Sequence, residues 1–87
     1  MTIKVTLNPG SKMNYHSHDY RDEVWTAVRG FGTTIVDGME QEIKEGDVIT
    51  IASGCKHTVI AGDSGLQLIE VQLGKDISVD DKHIHKL

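Results

Sequence analysis

Residues 10–30 read GSKMNYHSHDYRDEVWTAVRG, and the fold turns on how this stretch is divided. Side chains two apart on a strand share a face, so His16 and His18 project together while Ser17 points the other way. The loop DYRD, residues 19–22, follows, and Glu23 then opens a further alternating run that ends at Gly30. A hairpin through that loop brings the Glu23 carboxylate beside the two imidazoles. Imidazole nitrogen with carboxylate oxygen suits zinc, iron, manganese, nickel or copper. The competing reading of the same residues is polar decoration on a strand and a loop.

The rest of the chain extends the pattern. Residues 2–7 alternate, with Ile3, Val5 and Leu7 on one face, and Asn8-Pro9-Gly10 turns the chain. Further runs cover residues 13–18, 24–29, 31–36, 39–44, 48–51, 57–61 and 66–73. Asp37-Gly38 is a two-residue hairpin signal of type I′. No segment carries a helical period. About eight or nine short strands separated by glycine turns predict an all-β sandwich or barrel. Closing such a sheet removes edges that would invite aggregation. His57 begins a later strand and is the natural fourth ligand to the His16, His18 and Glu23 set.

The chain has 87 residues, which predicts a single domain over 1–87 with residues 75–87 as a charged tail. A chain of this size buries only roughly 60–65 % of its unfolded surface, so a metal or a partner subunit would support a thin core. Thirteen Asp and Glu against nine scattered Lys and Arg give a net charge of −4, which argues against nucleic acid and anionic membranes as partners. The single cysteine, Cys55, forbids an internal disulfide and is compatible with a reducing cytoplasm. No apolar run approaches the ~20 residues of a membrane span. The N-terminus alternates like a strand instead of carrying a signal-peptide centre. A cytoplasmic location is the expectation.

At the level of motifs the chain resembles the cupin superfamily. The first cupin motif is matched at every spacing by Gly10, SKMNY, His16-Ser17-His18, DYRD, Glu23, VWTAVR and Gly30. The second is matched at Gly46, Gly54 and His57, while Ala52 and Ala61 replace its proline and asparagine. The resemblance implies a small jelly-roll, or double-stranded β-helix, barrel that forms a homodimer. It places a divalent metal ion on His16, His18, Glu23 and His57. Zinc is favoured, with iron, manganese or nickel as alternatives.

A narrower resemblance is to the C-terminal cupin domain of bifunctional mannose-6-phosphate isomerase/mannose-1-phosphate guanylyltransferase proteins. It rests on the asparagine-proline-glycine turn, on Arg21, Glu23 and Trp25, on LIEVQLG at residues 68–74 and on the acidic pair Asp80-Asp81. His16 stands where that family commonly has glutamine, Thr58 where it has arginine, and these 87 residues do not include a nucleotidyltransferase domain.

This resemblance implies Lewis-acid-assisted isomerisation of a sugar or sugar phosphate, with Glu70 or a metal-held hydroxide as base. Arg21 or Lys56 would hold the anionic end of such a small-molecule ligand. Two other classes use the same residues: a non-catalytic binding or sensing module, and an Fe(II)-dependent dioxygenase.

The remaining residues read two ways each. Arg21 either grips a phosphate or carboxylate or pairs with Asp19 or Asp22. Trp25 is a sugar-stacking surface or core and interface packing, and Tyr20 sits in the loop at the pocket mouth. Glu70 and Gln72 line the barrel or face water. Cys55 reads as a turn cysteine. His83-Ile84-His85 reads as a polar tail, or as a metal site across a dimer.

Overall fold

The computed structural model describes residues 1–74, 77 and 80–86. Among them are seven strands and no helix: β1 (Thr2–Leu7), β2 (His16–Ser17), β3 (Asp22–Val36), β4 (Met39–Lys44), β5 (Val48–Ile51), β6 (His57–Leu73) and β7 (His83–Ile84). The all-β jelly roll expected from the sequence is the architecture that forms. Its frame is one long antiparallel pair, β3 with β6, running from Asp22 opposite Leu73 to Val36 opposite His57.

The shorter strands dress this pair. β5 lies along the first half of β3 and β4 along its second half. β1 lies along the second half of β6, while β2 pairs at its start and carries β7 on the outside. The two halves of the long pair thus belong to two faces that enclose a shared interior. That interior is filled by Trp25, Ala27, Ile43, Ile51, Val59, Ala61, Leu66 and Leu68.

The strand count is lower than eight or nine because two pairs of expected runs are continuous. Gly30 pairs with Leu66 and Gly32 with Ala61, so residues 62–65 bow outward opposite Phe31. A bulge shifts the alternation, and the burial pattern records it. On β3 the inward residues are Glu23, Trp25 and Ala27 before the bulge, and Gly32 and Thr34 after it. Gly30 is required there: its φ is +82°, and a Cβ would lie 2.1 Å from the Gly65 carbonyl oxygen. The Asp37-Gly38 turn is as expected, with φ of 48° and 82°, the positive pair that a type I′ hairpin needs.

On β6 the same shift moves the inward set from His57, Val59 and Ala61 to Leu66, Leu68, Glu70 and Gln72. Glu70 and Gln72 therefore line the interior and do not face water. Part of the C-terminal tail is ordered as strand β7, while residues 75, 76, 78, 79 and 87 lie outside the described set.

Candidate metal centre and its cavity

Four side chains meet at one end of the barrel. His16 is on β2 and pairs directly with His57, the first residue of β6. His18 follows β2, and Glu23 is the second residue of β3. All four are buried, none more than 7 % exposed. Polar groups this deep need partners, and the imidazoles have them on their outer edges. The Nδ1 of His16 donates to the Asn14 carbonyl (2.5 Å), that of His18 to the Asp81 carbonyl (2.5 Å) and that of His57 to the Cys55 carbonyl (2.9 Å). A carbonyl can only accept, so each ring carries its proton on Nδ1. Each neutral ring then has its lone pair on Nε2.

Those lone pairs converge. One ligand atom from each of His16, His18 and His57 lies within 4.8 Å of the other two. Glu23 joins them, with Oε2 3.1 Å from His18 Nε2 and Oε1 3.8 Å from His57 Nε2. A lone pair facing a carboxylate oxygen at that distance is repulsive unless positive charge lies beside both. Here Arg21 supplies it, donating from Nε to Glu23 Oε2 (3.1 Å) and from Nη2 to His18 Nε2 (3.0 Å). His57 Nε2 is buried with no hydrogen-bond partner among the described residues. An orphaned imidazole nitrogen beside two more and a carboxylate is the donor set of a divalent transition metal, and these residues fit one.

The remaining features orient this set. Trp25 is wholly buried; its Nε1 donates to Glu23 Oε1 (2.8 Å), and its ring meets the His57 ring edge-on at 5.4 Å. It packs the core and fixes the carboxylate, and presents no stacking face to a sugar. Arg21 is inside the site, at hydrogen-bond distance from two of the ligands.

A cavity of about 450 Å³ opens over the histidines and joins His16, His18, Arg21 and Glu70 to Lys12 and Lys82. Ile3, Val5 and Met13 form its apolar wall. Burial, reinforced by the charge of Glu23, pushes the Glu70 carboxyl up to about 7. Burial also pushes His16 down to about 4 and lowers His57.

Lys56 is not part of this cavity; its N–H donates to Asp37 Oδ1 (2.8 Å) in the turn before β6. Tyr20 is 72 % exposed. The Cys55 thiol is raised by its hydrogen bond to Asp37 and by burial, as suits a turn cysteine. Lys12 and Asn14 reach the cavity from the irregular segment before β2, where strand alternation gives no signal for them. Lys82 had no local signal, because it reaches the cavity from the far end of the chain. His83 approaches Asp19 Oδ2 (3.0 Å) on the surface, and His85 meets the Ser17 hydroxyl (2.8 Å).

Among the described residues no helix is long and apolar enough to cross a membrane. The cupin domain model matches residues 3–72. A provisionally named mannose-1-phosphate guanylyltransferase of Vibrio cholerae serotype O1 is 32 % identical over 79 residues, 90 % of this chain but only 17 % of that protein's length. A predicted oxalate decarboxylase from Thermotoga maritima superposes with a TM-score of 0.82 at 28 % identity, covering 86 % of this chain and 66 % of the other. Oxalate decarboxylase from Bacillus subtilis reaches a TM-score of 0.87 at 20 % identity over 95 % of this chain and 23 % of that one, a likeness of fold.

Proposed function

This chain belongs to the cupin family, and from that premise we propose that it is a divalent-metal protein that isomerises a small oxygen-rich anion, first of all a sugar phosphate. The observation that carries this reading is the cavity that joins metal-fitting imidazoles to a buried carboxyl and three cations. The resemblance of residues 5–30 to the cupin domain of mannose-6-phosphate isomerase/mannose-1-phosphate guanylyltransferase proteins makes mannose 6-phosphate the first compound to try.

His16, His18, Glu23 and His57 would hold the ion, and three neutral nitrogens with one carboxylate favour zinc. When bound, a divalent ion polarises a carbonyl or hydroxyl oxygen as a Lewis acid. Glu70 faces the same cavity with a carboxyl poised near neutral pH, where a general base works best. It takes the proton from the carbon beside the carbonyl and returns it to the former carbonyl carbon. The hydroxyl proton moves between the two oxygens, so aldose and ketose interconvert with no atom gained or lost. Arg21, Lys12 and Lys82 hold the anionic end, and the Ile3, Val5 and Met13 wall limits water.

The test is metal content by mass spectrometry on untagged protein, wild type beside His18→Ala. It is followed by conversion of mannose 6-phosphate to fructose 6-phosphate. Near one equivalent of zinc, lost in the variant, with turnover that Glu70→Gln abolishes, is the expected result. Sugar-phosphate binding without turnover would make this a binding module. Iron with oxygen consumption would move it to the dioxygenases.

A further inference from the structure

Strand β2, which carries His16 and leads directly into His18, is two residues long. Beyond its single pairing with β6, so short a strand is held on its outer side by β7, in a segment that lies beyond the 3–72 span of the cupin match. The carboxylate of Asp81 is buried. Its Oδ1 accepts the backbone N–H of Asp19 and its Oδ2 that of Tyr20, both at 2.9 Å. The carbonyl of the same residue accepts Nδ1–H of His18. One residue thus grips both the turn that leaves His18 and the ring of His18 itself.

We propose that Asp81 is a positioning residue of the metal centre, a role that rests on the metal reading above. Two successive N–H groups on one carboxylate fix the backbone direction after His18. That docking places the Asp81 carbonyl opposite Nδ1. The carbonyl then selects the tautomer that turns the Nε2 lone pair inward, toward His16, His57 and Glu23. Removing the carboxylate leaves the carbonyl undocked, so the ring is free to rotate and to exchange tautomers. Outer partners of metal-ligating histidines are typically worth 10–100-fold in metal affinity.

The experiment uses the full chain without a tag and has two readouts. Zinc affinity is measured by competition with a chromophoric chelator for wild type, Asp81→Ala, Asp81→Asn and His85→Gln. The ring tautomers of the metal-free proteins are read by long-range ¹⁵N NMR. Asp81→Ala is expected to bind zinc 10–100-fold more weakly. In it His18 alone loses its fixed Nδ1–H form, because His16 and His57 donate to Asn14 and Cys55 instead. Asp81→Asn, which keeps one acceptor oxygen, falls between.

His85→Gln disturbs the same segment through Ser17 without touching a ligand, and is expected to lose less than the roughly tenfold that marks an outer partner of a ligand. Zinc affinity within twofold of wild type in Asp81→Ala, with the His18 tautomer unchanged, overturns the proposal. So does a loss of all three tautomers together, which would mark general loosening. If the wild type takes up no zinc the metal reading falls, and the His18 tautomer alone then decides whether Asp81 positions that ring.

Discussion

Glu70 shows how one residue's surroundings set its chemistry. Its ordinary carboxyl value is 4.5, and burial with the neighbouring Glu23 charge raises it to about 7. Between those values the folded chain holds a proton that the unfolded chain releases. Stability is therefore fully present below 4.5 and declines as pH rises through 7. Glu70→Gln removes this dependence. Metal-free Glu70→Gln should melt close to wild type at pH 5 and above it at pH 8. A difference in Tm that does not grow with pH would contradict the assignment. The opposite shift of His16, whose stability is lost as pH falls from 6.5 toward 4, is common to both proteins and cancels in the comparison. In catalysis the same substitution should cost on the order of 10²–10⁴ in kcat. Arg21 touches both the metal ligands and the cavity, so its role in binding is read at matched zinc content: there Arg21→Ala should raise KM for a phosphorylated sugar several-fold more than it changes kcat, and an unchanged KM would remove it from anion recognition. His16, His18, Glu23 and His57 were legible because strand parity and a four-residue loop place three of them and a strand start places the last. The Trp25 link to Glu23 was not, since a shared face does not reveal which atom an indole N–H will meet.

At the scale of elements the lesson lies in glycine. Gly30 and the stretch from Gly62 to Gly65 read as strand ends because positive-φ residues usually end strands. In the molecule they mark a bulge inside one long ladder, and β3 and β6 run through it. The distinction depends on the partner strand, which local sequence does not contain. The Asp37-Gly38 turn was legible because its geometry is local, a two-residue loop between runs that pair with each other. The same reasoning makes Gly30 a structural weak point. A Cβ there meets the Gly65 carbonyl at 2.1 Å and the backbone is held at φ +82°. Gly30→Ala should lose roughly 1–3 kcal/mol from backbone strain alone, before the clash is added. Urea unfolding reads this as a lower midpoint at unchanged slope. A midpoint equal to wild type would mean that the bulge relaxes freely.

At the scale of the whole molecule, a chain of net charge −4 gathers three of its nine Lys and Arg around one cavity, which favours a small anion and repels a polyanion. The fold was legible as a class because short alternating runs with glycine turns leave few architectures for 87 residues. The C-terminal contribution was not, because Asp81 and Lys82 reach the site across more than sixty residues of chain. The same topology gives the metal its largest predicted effect. The four candidate ligands sit on or beside β2, β3 and β6, so an ion held by them ties together elements that global unfolding must separate. Binding to the folded state alone stabilises by about 2.7 kcal/mol at a hundredfold excess over Kd. For a domain of this size each kcal/mol moves Tm by roughly 4–8 °C, so zinc should raise Tm by about 10–20 °C. EDTA should reverse the shift. His57→Ala should abolish it, since it removes the buried nitrogen that has no hydrogen-bond partner among the described residues. A zinc-induced rise of the same size in His57→Ala would place the ion elsewhere, with the group of exposed Asp19 and His83 and buried Asp81 as the next place to look.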